Sequence, residues 1–182
     1  MKTDKGPKIL QTENPILRHK AANVSPEEIG IDELKKIIKD MRTALASQED
    51  GVAIAAPQIG VSKRIFLVSE RIPGKKEKAH PQKETKENLV FINPKIVKMS
   101  KEKKHLPEGC LSVRWIYGEV KRASRVTIEA LDEKGKKISR GAGGILAQIF
   151  QHEIDHLDGV LFIDKAKNIM EAKPDDYTGN KI

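Results

Sequence analysis

The chain has 182 residues, no internal repeat and enough apolar runs for one core, so a single domain over 1–182 is expected. Its net charge of +8 comes from 34 basic against 26 acidic residues, but the lysines are scattered among glutamates, aromatics make up only 4%, and neither zinc-finger spacing nor an RNA-binding aromatic motif occurs, which argues against sequence-specific nucleic-acid binding. No segment is long and apolar enough to span a bilayer, and one cysteine with no N-terminal hydrophobic region points to a reducing, cytoplasmic setting in which the thiol stays free to bind metal.

In chain order, Asp32-Glu33-Leu34-Lys35-Lys36-Ile37-Ile38-Lys39-Asp40-Met41 predicts an amphipathic helix started by Ser25-Pro26 or by Asp32. The run Gly51-Val52-Ala53-Ile54-Ala55-Ala56-Pro57-Gln58-Ile59-Gly60 is apolar and small-sided. It reads as a tight turn and a packed segment, or as a place where a substrate backbone lies against the chain, with Gln58 as a neutral donor to a developing oxyanion. Residues 64–68 and 89–92 predict strands, and the lysine-rich stretch between them, about 71–88, is expected as a mobile loop or hairpin tip. Pro107-Glu108-Gly109-Cys110-Leu111-Ser112-Val113 carries the cysteine, with Gly109 open to close backbone approach and Leu111-Ser112-Val113 strand-like. Residues 125–131 predict a strand before the turn Asp132-Glu133-Lys134-Gly135, and 173–182 a frayed tail.

The densest chemistry lies in Gln151-His152-Glu153-Ile154-Asp155-His156. Residues four apart share a helix face, so His152 and His156 can turn both imidazoles toward one ion, with Glu153 beside it as general acid/base and the metal lowering the pKa of a bound water. The apolar stripe agrees: Ile145, Ile149, His152 and His156 line up, Leu146, Phe150 and Leu157 widen the face, and Gly159 supplies a C-terminal stop. A catalytic site needs a third ligand and an open position. An H-E-x-x-H-x-x-G-x-x-H extension fails at Phe162. Glu171, the only later glutamate, lies near the polar tail, and upstream stands Cys110, which also reads as a small buried hydrophobe or as a nucleophile activated by histidine.

Three ordered blocks resemble the peptide deformylases: G-x-G-L-A-A-x-Q appears as residues 51–58, E-G-C-L-S as 108–112 and Q-H-E-x-D-H-L as 151–157. Asn14-Pro15-Ile16-Leu17-Arg18, Phe91-Ile92-Asn93-Pro94 and Gly159-Val160-Leu161-Phe162-Ile163-Asp164 extend the similarity over roughly residues 9 to 165. The resemblance implies an α+β fold with mixed or antiparallel sheets wrapped around a central metal-binding helix that carries His152-Glu153-Ile154-Asp155-His156. It implies removal of the N-formyl group from formyl-methionine at the start of nascent peptides, one divalent ion held by Cys110, His152 and His156, and Glu153 as general acid/base. Gln58 and the backbone N–H of Leu111 would meet the oxyanion. Fe(II) is the expected metal, with Zn(II), Ni(II) or Co(II) as alternatives. Substrate would be bound by Val52, Ala53, Ile54, Gly109, Gln148 and Ile149, its main chain adding as a strand to the first block. A peripheral ribosome contact through the basic surface is a further implication. Two departures stand out: Ala53 and Ile54 replace the family's Gly-Leu, and Arg114-Trp115-Ile116-Tyr117 follows where many relatives place a proline.

Overall fold

Ile65-Phe66-Leu67-Val68 has no polar position, which suits a strand only when both its faces are covered. In the computed structural model, which describes residues 6–69 and 89–172, this strand (β2, Ile65–Val68) lies between β1 (Ala53–Ala55) and β3 (Leu89–Met99). Further along the chain β6 (Arg125–Leu131) and β7 (Lys137–Gly143) complete a sheet in the order β1-β2-β3-β6-β7, antiparallel throughout. The loop expected at about 71–88 and the tail expected at 173–182 lie outside the described residues.

One face of the sheet is covered by α1 (Asp32–Ala46), whose buried Leu34, Ile38, Met41 and Leu45 pack with Ile54, Ile65, Leu67, Val90 and Ile92. This helix runs five residues past the predicted end at Met41, because Ala44 and Leu45 continue the buried stripe. The other face receives α2 (Gly144–Leu157) through Phe66, Phe91 and Phe150, whose ring centroids lie 4.8 to 5.9 Å apart. Alternation along β2 thus sends Ile65 and Leu67 to α1 and Phe66 and Val68 to α2. Asn93 breaks β3 with a bulge at φ +51, a conformation Asn tolerates, and its side-chain amide exchanges two 2.8 Å hydrogen bonds with the backbone of Val24.

A second antiparallel sheet, in the order β4-β5-β8, is formed by β4 (Lys103–Cys110), β5 (Val113–Ala123) and β8 (Lys167–Glu171). Here one expectation is corrected: Leu111-Ser112 is not strand but the two-residue turn of the β4–β5 hairpin, closed by the pairing of Cys110 with Val113. Helix α2 contacts strands of both sheets, which buries Ala147, Gln151 and Ile154 along with the predicted stripe. Ile145, by contrast, is 42% exposed, since the first helical turn projects beyond the core.

Gly159 follows the last turn of α2 at φ +77, and a Cβ there would stand 2.6 Å from the carbonyl oxygen of Arg18. The glycine stop therefore also lets the N-terminal segment cross the helix end, where Ala21 N–H donates to Leu157 O at 2.9 Å. Gly159→Ala combines a left-handed penalty of roughly 1 kcal/mol with a backbone clash, so a loss of about 2–4 kcal/mol is expected in urea unfolding.

Candidate active site

His152 and His156 stand one turn apart on α2 with ring centroids 5.0 Å apart, and the β4–β5 turn delivers Cys110 to them. The Cys110 Sγ lies 3.2 Å from His156 Nε2, and one donor atom from each of the three residues falls within 4.8 Å of the others. His152 is fixed by its far nitrogen, since Nδ1 lies 3.0 Å from Glu108 Oε2 and leaves Nε2 for the cluster. Burial would push the Cys110 thiol up, but the neighbouring His156 and His152 imidazoles bring it down to about 5. It is then largely thiolate at neutral pH, the form that ligates metal. Two imidazoles and a thiolate converging on one point fit a single divalent transition-metal ion with a position left over.

Behind this cluster is a buried ionic network that the sequence reading did not foresee. Arg122 grips Glu108 through two hydrogen bonds, Nε to Oε1 at 2.7 Å and Nη2 to Oε2 at 2.9 Å, and donates through Nη1 to Asp155 Oδ2 at 2.6 Å. Lys165 reaches the other Asp155 oxygen at 2.7 Å. Burial alone would raise the Glu108 carboxyl, but Arg122 and His152 hold it down at about 2. The available signal was period two on β4, which puts Glu108 and Cys110 on one face; nothing separated Arg122 from the many other basic residues.

Gln58 is 1% exposed and locked in orientation. Its Oε1 accepts from Ala55 N–H at 2.8 Å, and its Nε2 points at Ser112 Oγ (3.1 Å) and Cys110 Sγ (3.7 Å). The Glu153 carboxyl is buried, and its Oε2 has no hydrogen-bond partner among the described residues. Burial raises it, partly offset by the two imidazoles, to about 7.

These groups open into a cleft between the two sheets. Of the residues expected to touch substrate, Val52, Ala53, Gly109, Gln148 and Ile149 line it, together with Gln58, Cys110, Leu111, His152 and Glu153. Ile54 does not: its side chain is fully buried under α1, because alternation along β1 turns it away from its neighbours Ala53 and Ala55. Gly51, at the start of the small-sided run, lines it too, and Asp50 and the exposed Ile145 do so without having been anticipated. Glu171, the alternative third ligand, lies in β8, paired across from Ile116, and is not part of the cluster.

Sequence and fold comparisons agree on the relatives. The profile described as polypeptide deformylase matches residues 7–172. Peptide deformylase 2 of Clostridium acetobutylicum is 41% identical over 157 residues, spanning 86% of this chain and 92% of that protein. Among solved structures, the Met-Ala-Ser-bound class I type b peptide deformylase from Acinetobacter baumannii superposes with a TM-score of 0.77 at 32% identity, covering 90% of this chain and 99% of that one. The inhibitor complex of Plasmodium falciparum peptide deformylase gives 0.73 at 37% identity, covering 88% and 90%. With the profile matched over nearly the whole described chain and the fold shared with those enzymes, the chain belongs to the polypeptide deformylase family.

Proposed function

We propose that this chain is a single catalytic domain that hydrolyses the N-formyl group from the formyl-methionine of newly made polypeptides, releasing formate and a free amino terminus. The observation that carries this reading is the convergence of Cys110, His152 and His156 next to a buried, unpartnered Glu153 oxygen and the locked amide of Gln58. The three ligand residues would hold one divalent ion, Fe(II) by family resemblance, with Zn(II), Ni(II) or Co(II) as alternatives that the same donor set accepts. Bound there, such an ion lowers the pKa of a water and polarises the formyl carbonyl.

The chain's own residues do the remainder. Glu153, with its carboxyl near 7, takes the proton of the attacking water on Oε2 and returns it to the amine nitrogen as the C–N bond breaks. Gln58 Nε2 and the backbone N–H of Leu111 donate to the oxyanion that forms at the formyl carbon. Among the described residues β1 is an edge strand, paired only with β2, so a peptide can add to its free side while the methionine side chain enters the cleft against Val52, Ile149 and the stem of Gln148. The peptide Met-Ala-Ser in the Acinetobacter relative supports this substrate class. A net charge of +8 favours peripheral contact with ribosomal RNA in the cytoplasm, where nascent formylated chains emerge. No helix among the described residues is long and apolar enough to cross a membrane.

Anaerobic assay of formate release from formyl-Met-Ala-Ser with Fe(II) or Ni(II) tests the reading directly. Cys110→Ala is expected to lose metal and turnover together, and a full metal complement with preserved turnover would sink the ligand assignment. Glu153→Gln should retain metal and lose ~10²–10⁴-fold in kcat.

Gln58→Ala should lower kcat by roughly 10²–10³-fold with metal content unchanged; an unaltered kcat removes the amide from the mechanism.

Glu108→Gln leaves Arg122 buried without its main partner, a change of the kind that costs about 3–5 kcal/mol, and loosens His152, for which metal competition should show ~10–100-fold weaker binding. Because the folded carboxyl sits at about 2, below its ordinary 4.5, its stabilising contribution is complete above 4.5 and fades as pH falls from there toward 2. The wild type should therefore lose more stability across that window than Glu108→Gln, as read by denaturant unfolding at each pH.

A further inference from the structure

The cleft is walled on one side by the segment that runs from the end of α1 into β1, including Asp50, Gly51 and Val52, and on the other by the β4–β5 hairpin, including Pro107, Gly109 and Leu111. These walls belong to different sheets. Arg114, the second residue of β5, reaches from the hairpin to the opposite wall: Nη1 donates to Asp50 Oδ2 at 2.7 Å and Nη2 to Gln48 Oε1 at 2.5 Å. Its guanidinium carbon also lies 5.4 Å from the centroid of the Trp115 ring. One planar group thus has three partners, and since Asp50 itself lines the cleft, the bridge sits at the rim.

Trp115 adds a second, independent observation. Its φ is +65, the left-handed region, which costs a residue with a Cβ roughly 1–2 kcal/mol. The chain accepts that strain in a half-exposed tryptophan next to Arg114, where its carbonyl is held by Ala172 N–H at 2.8 Å and its ring flanks the Arg114 guanidinium. Strain retained beside the bridging Arg114 points to a geometry that this end of the hairpin uses. Asp50 at 59% side-chain exposure against 23% for Arg114 makes the pair too wet to matter much for global stability. Its leverage is local, on the separation of two walls.

We propose that Arg114 is a positioning residue that latches the two walls of the cleft across its rim and thereby sets the affinity for peptide. The proposal rests on the deformylase reading above for the identity of the peptide. Because His152, His156 and Glu153 are carried by α2, Gln58 by the 3₁₀ turn after β1, and Cys110 is held by backbone pairing with Val113 and not by the Arg114 side chain, loss of the latch weakens ground-state and transition-state binding alike, which appears in KM and not in kcat.

The test is steady-state deformylation of formyl-Met-Ala-Ser by the intact, metal-loaded protein. Arg114→Met is expected to raise KM about 5- to 10-fold with kcat within about twofold, the size of one charge-assisted hydrogen-bonded contact. Asp50→Asn, on an exposed loop where folding is not at risk, should raise KM in the same direction, and the double variant should be no worse than Arg114→Met alone. Additive effects, or a fall in kcat at constant KM, overturn the latch. Amide hydrogen exchange over residues 47–52 supplies a readout independent of turnover, and Arg114→Met should quicken it. If wild type releases no formate from any formyl peptide while exchange still quickens, the deformylase reading falls and the latch stands. Unchanged exchange together with unchanged KM rejects the latch and leaves that reading intact.

Discussion

Two hydrogen bonds from the Arg122 guanidinium to the Glu108 carboxylate, both groups about 4% exposed or less, govern how the rest of the site is assembled. Removing either charge from water costs several kcal/mol, and a buried pair recovers this only with good geometry and with its remaining donors and acceptors used. Here they are used: the third guanidinium donor goes to Asp155 on α2, Lys165 balances Asp155, and the free lobe of Glu108 meets His152. Two cations and two carboxylates make the network neutral, and against it stands His152, which burial would lower but which the Cys110 sulfur and Glu108 raise well above its ordinary value. The network also crosses from the three-stranded sheet to the helix. The strand that carries Cys110 and the helix that carries both histidines are therefore joined by the interaction that orients one of the imidazoles.

Above this floor, two acidic groups of one pocket are driven in opposite directions. Burial acts upward on both, yet Cys110 falls to about 5 because two imidazoles lie against its sulfur, whereas Glu153 rises to about 7 because the same imidazoles only partly offset its desolvation. Separated values of this kind divide labour between neighbours. A thiolate is available to bind a cation, and a carboxyl is poised to gain and lose a proton near neutral pH. Gln58 stays out of this traffic. A neutral amide, its oxygen occupied by Ala55 N–H, presents only its N–H side to the pocket and so donates whatever the protonation state around it.

What could be read in advance follows from how loudly each physical pattern speaks. A 3.6-residue stripe with two histidines and a glutamate in register is specific, and α2 with its glycine stop was legible, save for Ile145 at the first turn, where the helix has left the core. The β4–β5 hairpin was not, because Lys103, Lys104, His105 and Pro107 are all exposed and hide any alternation. β7 was missed for a related reason: its Gly-Ala-Gly end offers no strand-forming side chain. Ile54 was grouped with its neighbours because a run of small apolar residues carries no sign of which face each takes. Ion pairs between residues distant in sequence are silent until the fold is known, and Arg122 is the costliest omission on that account.

The fold that assembles this cluster also leaves a liability. An edge strand with a free side is a template for pairing with any extended chain, and a protein that keeps one must limit what can use it. β1 does so by length, being only three residues, and by what closes its ends: the Asp50–Arg114 ion pair precedes it and a 3₁₀ turn carrying Gln58 follows it. A chain that adds here can form only a short ladder, too little to hold another protein's strand by backbone hydrogen bonds alone. Under the proposed function, stable docking would then need a side chain that fits between Val52 and Ile149 and a terminus short enough to end against the Cys110, His152 and His156 cluster. On the function proposed above, selection for a peptide's first residue, over any interior stretch of sequence, would follow from the shortness of this edge as much as from the shape of the cleft.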